Sequence, residues 1–255
     1  MNSIPISVQL YTLRDLVAKD FAGNVQRVAG MGYSGVELAG YGNLKTPAEV
    51  KRVLDDLGLI VSGAHATIES LEDDLSRVLD AQQTLGNRHL ICPWMPEPRR
   101  KDADGWKAVA GSLNRIGQAC AGHGIEFAYH NHAFEFQEFD GKPALDLLFE
   151  NTDPRFVKAE LDVYWIQHGG HDPVTYINKL RGRTILLHLK DMASGPDKKF
   201  APIGTGILDF KSILNVARDV GVRWGVVEQD QTYDTPPLEA VRTSLENLKT
   251  IAGPT

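Results

Sequence analysis

The sequence predicts an α/β fold, a closed (β/α)8 TIM barrel, on three observations. Eight short apolar runs recur along the 255 residues, at intervals of roughly 25 to 35 residues, the size of a βα unit. The stretches between them carry helical periodicity rather than loop composition. No G-x-G-x-x-G follows the first run, as a dinucleotide-binding doubly wound sheet would require. Eight such repeats in about 250 residues match one barrel domain over residues 1–255.

In chain order the strand candidates are residues 4–11, 35–38, 60–65, 90–93, 125–132, 156–163, 184–190 and 224–228. The helices between them carry start and stop signals. Thr46-Pro47-Ala48-Glu49 reads as a capping box with proline at the first helical position; Val50, Val53, Leu54 and Leu57 follow on one face, and Gly58 closes the segment. Late in the chain Asp209 caps a segment whose apolar residues Phe210, Ile213, Leu214, Ala217 and Val220 recur at the helical period and stop at Gly221. Strands alternating with one-faced helices imply a parallel sheet.

Composition removes several function classes. Lys and Arg number 27 against 33 Asp and Glu, a net charge of −6, and the pI is near 5.7. That balance offers no positive field for a phosphate backbone, so nucleic acid is not the expected partner. The first residues lack a basic segment followed by a long apolar one, and no run of about 18 apolar residues occurs, so neither export nor a membrane is expected. Cys92 and Cys120 are the only cysteines; two cannot form a disulfide framework for this length, which fits a cytoplasmic setting.

A barrel of this kind builds its active site at the C-terminal ends of the strands. Of eight histidines, His89 starts a strand and His123 precedes one, which assigns both to the opposite, stabilising face. His65, His130, His132, His168, His171 and His188 all fall at or just beyond a strand's C-terminal end. Alternation along a strand puts Ala128, His130 and His132 on one face, Leu186, His188 and Lys190 on one face, and Val226 with Glu228. With Asp162, an inward His130, His188 and Glu228 would surround one point on the barrel axis. Two imidazoles and two carboxylates buried together call for a cation to balance them. They form a plausible first shell for manganese, with cobalt, zinc, magnesium or iron as alternatives. Gln9, Glu37 and His65 stand at other strand ends as candidate hydroxyl binders, and Trp165 could stack on a sugar face.

These residues resemble the xylose-isomerase-like barrel family of sugar isomerases and epimerases, which also includes inosose dehydratases and the endonuclease IV branch. The similarity runs through Val8-Gln9-Leu10-Tyr11 and Arg14, Gly35-Val36-Glu37-Leu38, His65, Leu161-Asp162, His188-Leu189-Lys190-Asp191, Gly204-Thr205-Gly206 to Asp209, and Glu228. The resemblance implies a divalent metal held by Asp162, His188 and Glu228 plus a fifth-strand glutamate. In epimerase members the fifth- and eighth-strand glutamates are also the acid/base pair. This chain departs there, because the family's Glu-Asn-His has become His130-Asn131-His132. Glu135, three residues beyond His132, is the expected replacement, as fourth ligand or as acid/base group. The histidine-rich strand looks more like inosose dehydratase and related keto-sugar enzymes.

The expected chemistry is proton removal next to a carbonyl, through an enediolate, on a keto-sugar or cyclitol. Glu228 would take or return the proton, His132 and Glu135 would supply the second acid/base function, and Lys190 would bond the charged oxygen. Epimerisation, isomerisation and elimination from an inosose or a 3-keto-glycoside all use this set of groups. Two other classes remain: an endonuclease IV-like phosphodiesterase, disfavoured by the acidic balance, and a non-catalytic sugar-binding barrel. Self-association is left open. Gly204-Thr205-Gly206 alone is a weak phosphate signal, so an unphosphorylated substrate is expected.

Overall fold

The computed structural model describes residues 4–253. Eight parallel strands close into a barrel in sequence order: β1 (Ile6–Gln9), β2 (Gly35–Leu38), β3 (Ile60–His65), β4 (His89–Cys92), β5 (Glu126–His130), β6 (Val157–Asp162), β7 (Thr184–Leu189) and β8 (Trp224–Val227). β8 returns to pair with β1, Ser7 opposite Val226, so the barrel itself has no edge strand. Helices separate successive strands, as alternation of one-faced segments with apolar runs dictates.

The anticipated caps form. Thr46 Oγ1 accepts the Glu49 amide, and the Glu49 carboxylate accepts the Thr46 amide at 3.0 Å, opening the helix Pro47–Asp56. Asp209 caps Phe210–Val220, which ends at a left-handed Gly221. Such caps contribute about 1 kcal/mol each. The helices bury their apolar faces against the outside of the strands in one continuous core. A separate small cluster of Ile91, Ala128, Ile185, Leu186, Trp224 and Val226 fills the lower barrel interior. It includes the small inward Ala128 and the inward Leu186 and Val226 that strand alternation placed there.

Two irregularities aim side chains. The register between β2 and β3 slips between Val36 and Glu37, and that between β6 and β7 slips between Ala159 and Glu160. Each slip comes immediately before a glutamate that points to the axis, the usual work of a bulge beside a functional site. Opposite Glu37 stands Gly63, where an added Cβ would lie 2.5 Å from the Glu37 Oε2. Among the described residues no helix is long and apolar enough to cross a membrane.

Candidate active site

At the C-terminal ends of the strands the barrel interior turns from apolar to ionisable. His188, at the second-last position of β7, is fully buried. Its Nδ1 lies 2.8 Å from Glu228 Oε2, and its Nε2 lies 2.7 Å from Glu37 Oε1 and 3.2 Å from Glu160 Oε2. His130 and Glu160 are directly paired across β5 and β6, with His130 Nδ1 3.1 Å from Glu160 Oε2. His65 Nε2 closes the ring, 2.9 Å from Glu37 Oε1 and 3.2 Å from Glu160 Oε2. Beneath it Gln9 donates to Glu37 at 2.8 Å.

Above this ring Lys190 stands among three carboxylates, its Nζ 3.0 Å from Asp162, 2.5 Å from Glu228 and 2.6 Å from Asp230. Asp162 serves two purposes. Its Oδ1 caps the helix Val163–His168 by accepting from Tyr164 and Trp165, while Oδ2 is buried with no hydrogen bond of acceptable angle.

The charges follow from these contacts. Burial opposes ionisation of Glu228, but the Lys190 ammonium and His188 outweigh it and hold the carboxyl well below its ordinary range. Glu37 is likewise held low by His188 and His65 against its burial. Burial also opposes protonation of His65, yet Glu37 and Glu160 push it up to about 9, and the same carboxylates with Glu228 raise His188. His130 is lowered by burial and by neighbouring His188, and His132 is lowered by burial and Lys190 to about 3, so both rings are neutral near pH 7. Burial lifts Asp162 to about 6.

Two sets of side chains offer ligand atoms within 4.8 Å of one another: Asp162, His188 and Glu228, and His65, His130, Glu160 and His188. Ligands on opposite sides of an ion stand about 4.4 Å apart at ordinary metal–ligand distances, so either set is tight enough. The electrostatics also fit. Asp162, Glu228 and Asp230 crowd one ammonium, and Glu37 and Glu160 crowd His65 and His188; a divalent ion, which binds His188 in its neutral form, would offset this excess of carboxylates. Asp162 Oδ2, Glu160 Oε1 and Glu37 Oε2 are buried without hydrogen-bond partners, which a cation would satisfy.

The residues expected from the sequence do not all converge. Asp162, His188 and Glu228 come together; His130 stands at their edge, its Nε2 3.7 Å from Asp162 Oδ2. Glu135 stays outside. It is buried on the far side of β5, one oxygen accepting from Tyr129 Oη at 2.7 Å and the other from the His132 amide at 2.8 Å. Tyr129 faces opposite to His130, so a carboxylate bonded to it is on the wrong side of the strand to reach the axis. Glu37, a member of the ring, and Gln9 beneath it are buried away from the open cavity, whereas His65, His132, Lys190 and Glu228 line that cavity. Trp165 is half-buried 5.5 Å from the His132 ring, with Lys190 Nζ 5.8 Å from its own ring. His168 and His171 leave the axis; His171 packs on Phe136 and Tyr176. His89 sits at the opposite end as anticipated, buried, with Nδ1 2.7 Å from Ser62 O.

Glu160 is the residue that motif reading passed over. The available signal was its position two residues before Asp162 on one strand face.

The sequence model of the xylose isomerase-like TIM barrel matches residues 25–251. The chain belongs to that family. Within it, the chain is 27% identical over 240 residues to inosose dehydratase of Salmonella agona (strain SL483), covering 78% of each chain. It is similar to a sugar phosphate isomerase/epimerase from Parabacteroides distasonis ATCC 8503 with a TM-score of 0.85 and 28% identity, covering 96% of this chain and 97% of that one. It shares its fold with 3-keto-D-glucoside 4-epimerase from E. coli, at a TM-score of 0.74 and 21% identity over 97% of this chain and 100% of the other. The xylose isomerase-like barrel is thus a setting of sugar isomerases, epimerases and dehydratases, and a small-molecule carbohydrate is the substrate its relatives imply.

Proposed function

We propose that the protein is a divalent-metal-dependent sugar isomerase or epimerase that removes a proton next to the carbonyl of a keto-sugar, through an enediolate. The observation that carries this reading is Glu228: its carboxylate meets Asp162 and His188 on one side and lines the open cavity on the other. Asp162, His188 and Glu228, with His130 beside them, are the residues that would hold the ion. When bound, a divalent cation supplies Lewis-acid stabilisation of negative charge on oxygen. The mixed oxygen and imidazole donors favour manganese, with cobalt, zinc, magnesium or iron as the other candidates.

The remaining steps belong to this chain's own groups. Ionised Glu228 takes the proton from carbon. His132 has a buried Nδ1 with no partner and a neutral ring beside the cavity, so it is the second group able to exchange a hydrogen bond or proton with substrate oxygen. Lys190 donates to the oxygen that becomes charged. Glu135, committed to Tyr129 and the His132 amide, positions the loop that carries His132 and is not itself an acid/base group. An unphosphorylated keto-sugar or cyclitol is favoured, because the amides of Gly204 and Gly206 are already bonded to Asp191 Oδ2, each at 2.9 Å, and offer nothing to a phosphate.

A second reading, elimination from an inosose or a 3-keto-glycoside, is supported by the inosose dehydratase relative and uses the same residues. The test is proton exchange: metal-loaded protein with ketoses, inososes and 3-keto-glycosides in D₂O, followed by NMR. Deuterium appearing next to a carbonyl is expected, and the product separates isomerase, epimerase and lyase. Glu228→Gln should lower the exchange rate by about 10²–10⁴-fold and weaken metal retention. An active, fully metallated variant would overturn the assignment.

A further inference from the structure

The cavity above the ionisable cluster has a volume of 350 Å³, near the lower end for small-molecule sites. It does not stop there. A second cavity of 820 Å³ shares Ala39, His65 and Thr67 with it and runs outward between the loop after β2 and the helix Leu75–Leu85. The boundary between the two is low: Ala39 and Gly40 are exposed and small, and an added Cβ at Gly40 would meet nothing within 4 Å.

The side chains at this junction suit a hydroxylated ring. Tyr11 and Trp94 line the central cavity yet are 44% and 47% exposed, among the few large apolar side chains left in solvent. Both line the cavity, and aromatic rings can stack on the apolar face of a sugar. Tyr11 is held for that purpose: its amide bonds Gln9 Oε1 at 3.1 Å, and the Arg14 guanidinium covers its ring at 4.4 Å. Farther out, Tyr41, Lys45, Ser70 and Arg77 present hydroxyl and cationic donors. Asp73, Asp74 and Asp80 line the same groove. Two cations against three carboxylates disfavour an anion, and the mixture of hydroxyl, cationic and carboxylate groups offers both donors and acceptors to a polar, hydroxylated occupant.

We infer that the substrate is a glycoside of at least two rings, the keto-sugar ring in the central cavity and a second, neutral sugar ring in the groove lined by Tyr41, Lys45 and Arg77. This rests on the keto-sugar reading above and narrows its substrate class. Such a groove holds ground state and transition state alike, so its contacts act on KM rather than kcat.

The test compares 3-keto-glucose with 3-keto-cellobiose on metal-loaded wild type and on the Tyr41→Ala/Arg77→Ala variant. Wild type should favour the two-ring probe in kcat/KM by at least about tenfold, roughly 1.4 kcal/mol. The variant should lose most of that preference through KM while turning over the one-ring probe within about twofold of wild type. Equal kcat/KM for the two probes, or a variant that impairs both alike, would overturn the inference. Saturation-transfer NMR keeps it separable from the reaction. If neither probe exchanges deuterium, the keto-sugar reading fails, while saturation of the second ring in wild type and its loss in the variant still support the groove as a sugar site. No saturation of the second ring would remove it.

Discussion

Two positions apart on β7, Leu186 and His188 point to the same side of the strand and obey opposite rules. Leu186 is packed with Ala128, Val226 and their neighbours in a hydrophobic cluster of the lower barrel, where burial itself stabilises. One pleat higher, His188 is equally buried but touches Glu37, Glu160 and Glu228. There burial is a cost that only mutual charge, or a cation, offsets. The barrel therefore divides its interior by height, stability below and reactivity above.

Asp162 and Asp191 make the same contrast between two fully buried carboxylates. Asp191 accepts four backbone amides: Met192 and Leu208 on Oδ1, Gly204 and Gly206 on Oδ2. It ties the loop after β7 to itself, and Gly206 is required because a Cβ there would stand 2.3 Å from Met192 O. Asp162 is half satisfied, its Oδ2 left toward Lys190 and Glu228. The carboxylate that ties a loop has both oxygens taken by backbone amides; the one at the site keeps an oxygen toward Lys190 and the cluster.

The sharpest break of that comparison is Asp162→Asn. Oδ1 can still accept from Tyr164 and Trp165, so the cap survives and stability should change by no more than about 1 kcal/mol, a few degrees in Tm. Activity and metal affinity should fall by at least about 100-fold, since even groups that only support metal ligands commonly cost 10–100-fold when replaced. Unfolding by calorimetry and metal retention after dialysis would be measured together. A large loss of Tm with metal retained would make Asp162 structural. Asp191→Ala should do the reverse. Four amides lose their acceptor, the Met192 amide buried and those of Gly204, Gly206 and Leu208 partly so, at roughly 0.5–1 kcal/mol each, so about 2–4 kcal/mol of stability should go. Molecules still folded at low temperature should bind metal normally. Unchanged stability would show that the loop finds other acceptors.

Much of this was legible in the residues. Alternation along each strand sent Ala128 and Leu186 to the apolar layer and His130, His188 and Glu228 to the reactive one, because a period of two leaves no choice once one face is buried. The capping box at Thr46 and the cap at Asp209 are local and formed as written. What failed was longer in range. Spacing alone brought Glu135 toward the axis, but the loop folds back to Tyr129, and no local pattern encodes which side of β5 a residue five positions beyond the strand will reach. Glu160 was hidden by the opposite habit, attention to the last acid of a strand rather than to both acids on its inward face. The register slips before Glu37 and Glu160 arise from pairing between strands, which a single strand's sequence does not record.

Glu135 and Glu228 offer the last and smallest contrast, the same side chain buried in two settings. Glu228 is surrounded by cations and held low. Glu135 is bonded to the Tyr129 hydroxyl and to the His132 amide, and its burial pushes it up to about 7 against those hydrogen bonds and the weaker pull of Arg100. Between about pH 4.5 and 7 the folded protein therefore keeps a proton that the unfolded chain has released. Where the folded state binds more protons, stability falls as pH rises. This group should accordingly remove up to roughly 3 kcal/mol of stability across that window, by the value of 1.36 kcal/mol per pKa unit. Other groups titrate over the same range, so the informative quantity is the difference between wild type and Glu135→Gln in urea unfolding at pH 5 and pH 7.5. The variant should gain stability relative to wild type as pH rises. A gap that stays constant across the window would mean that Glu135 is ionised throughout, and that it resembles Glu228 more than its surroundings suggest.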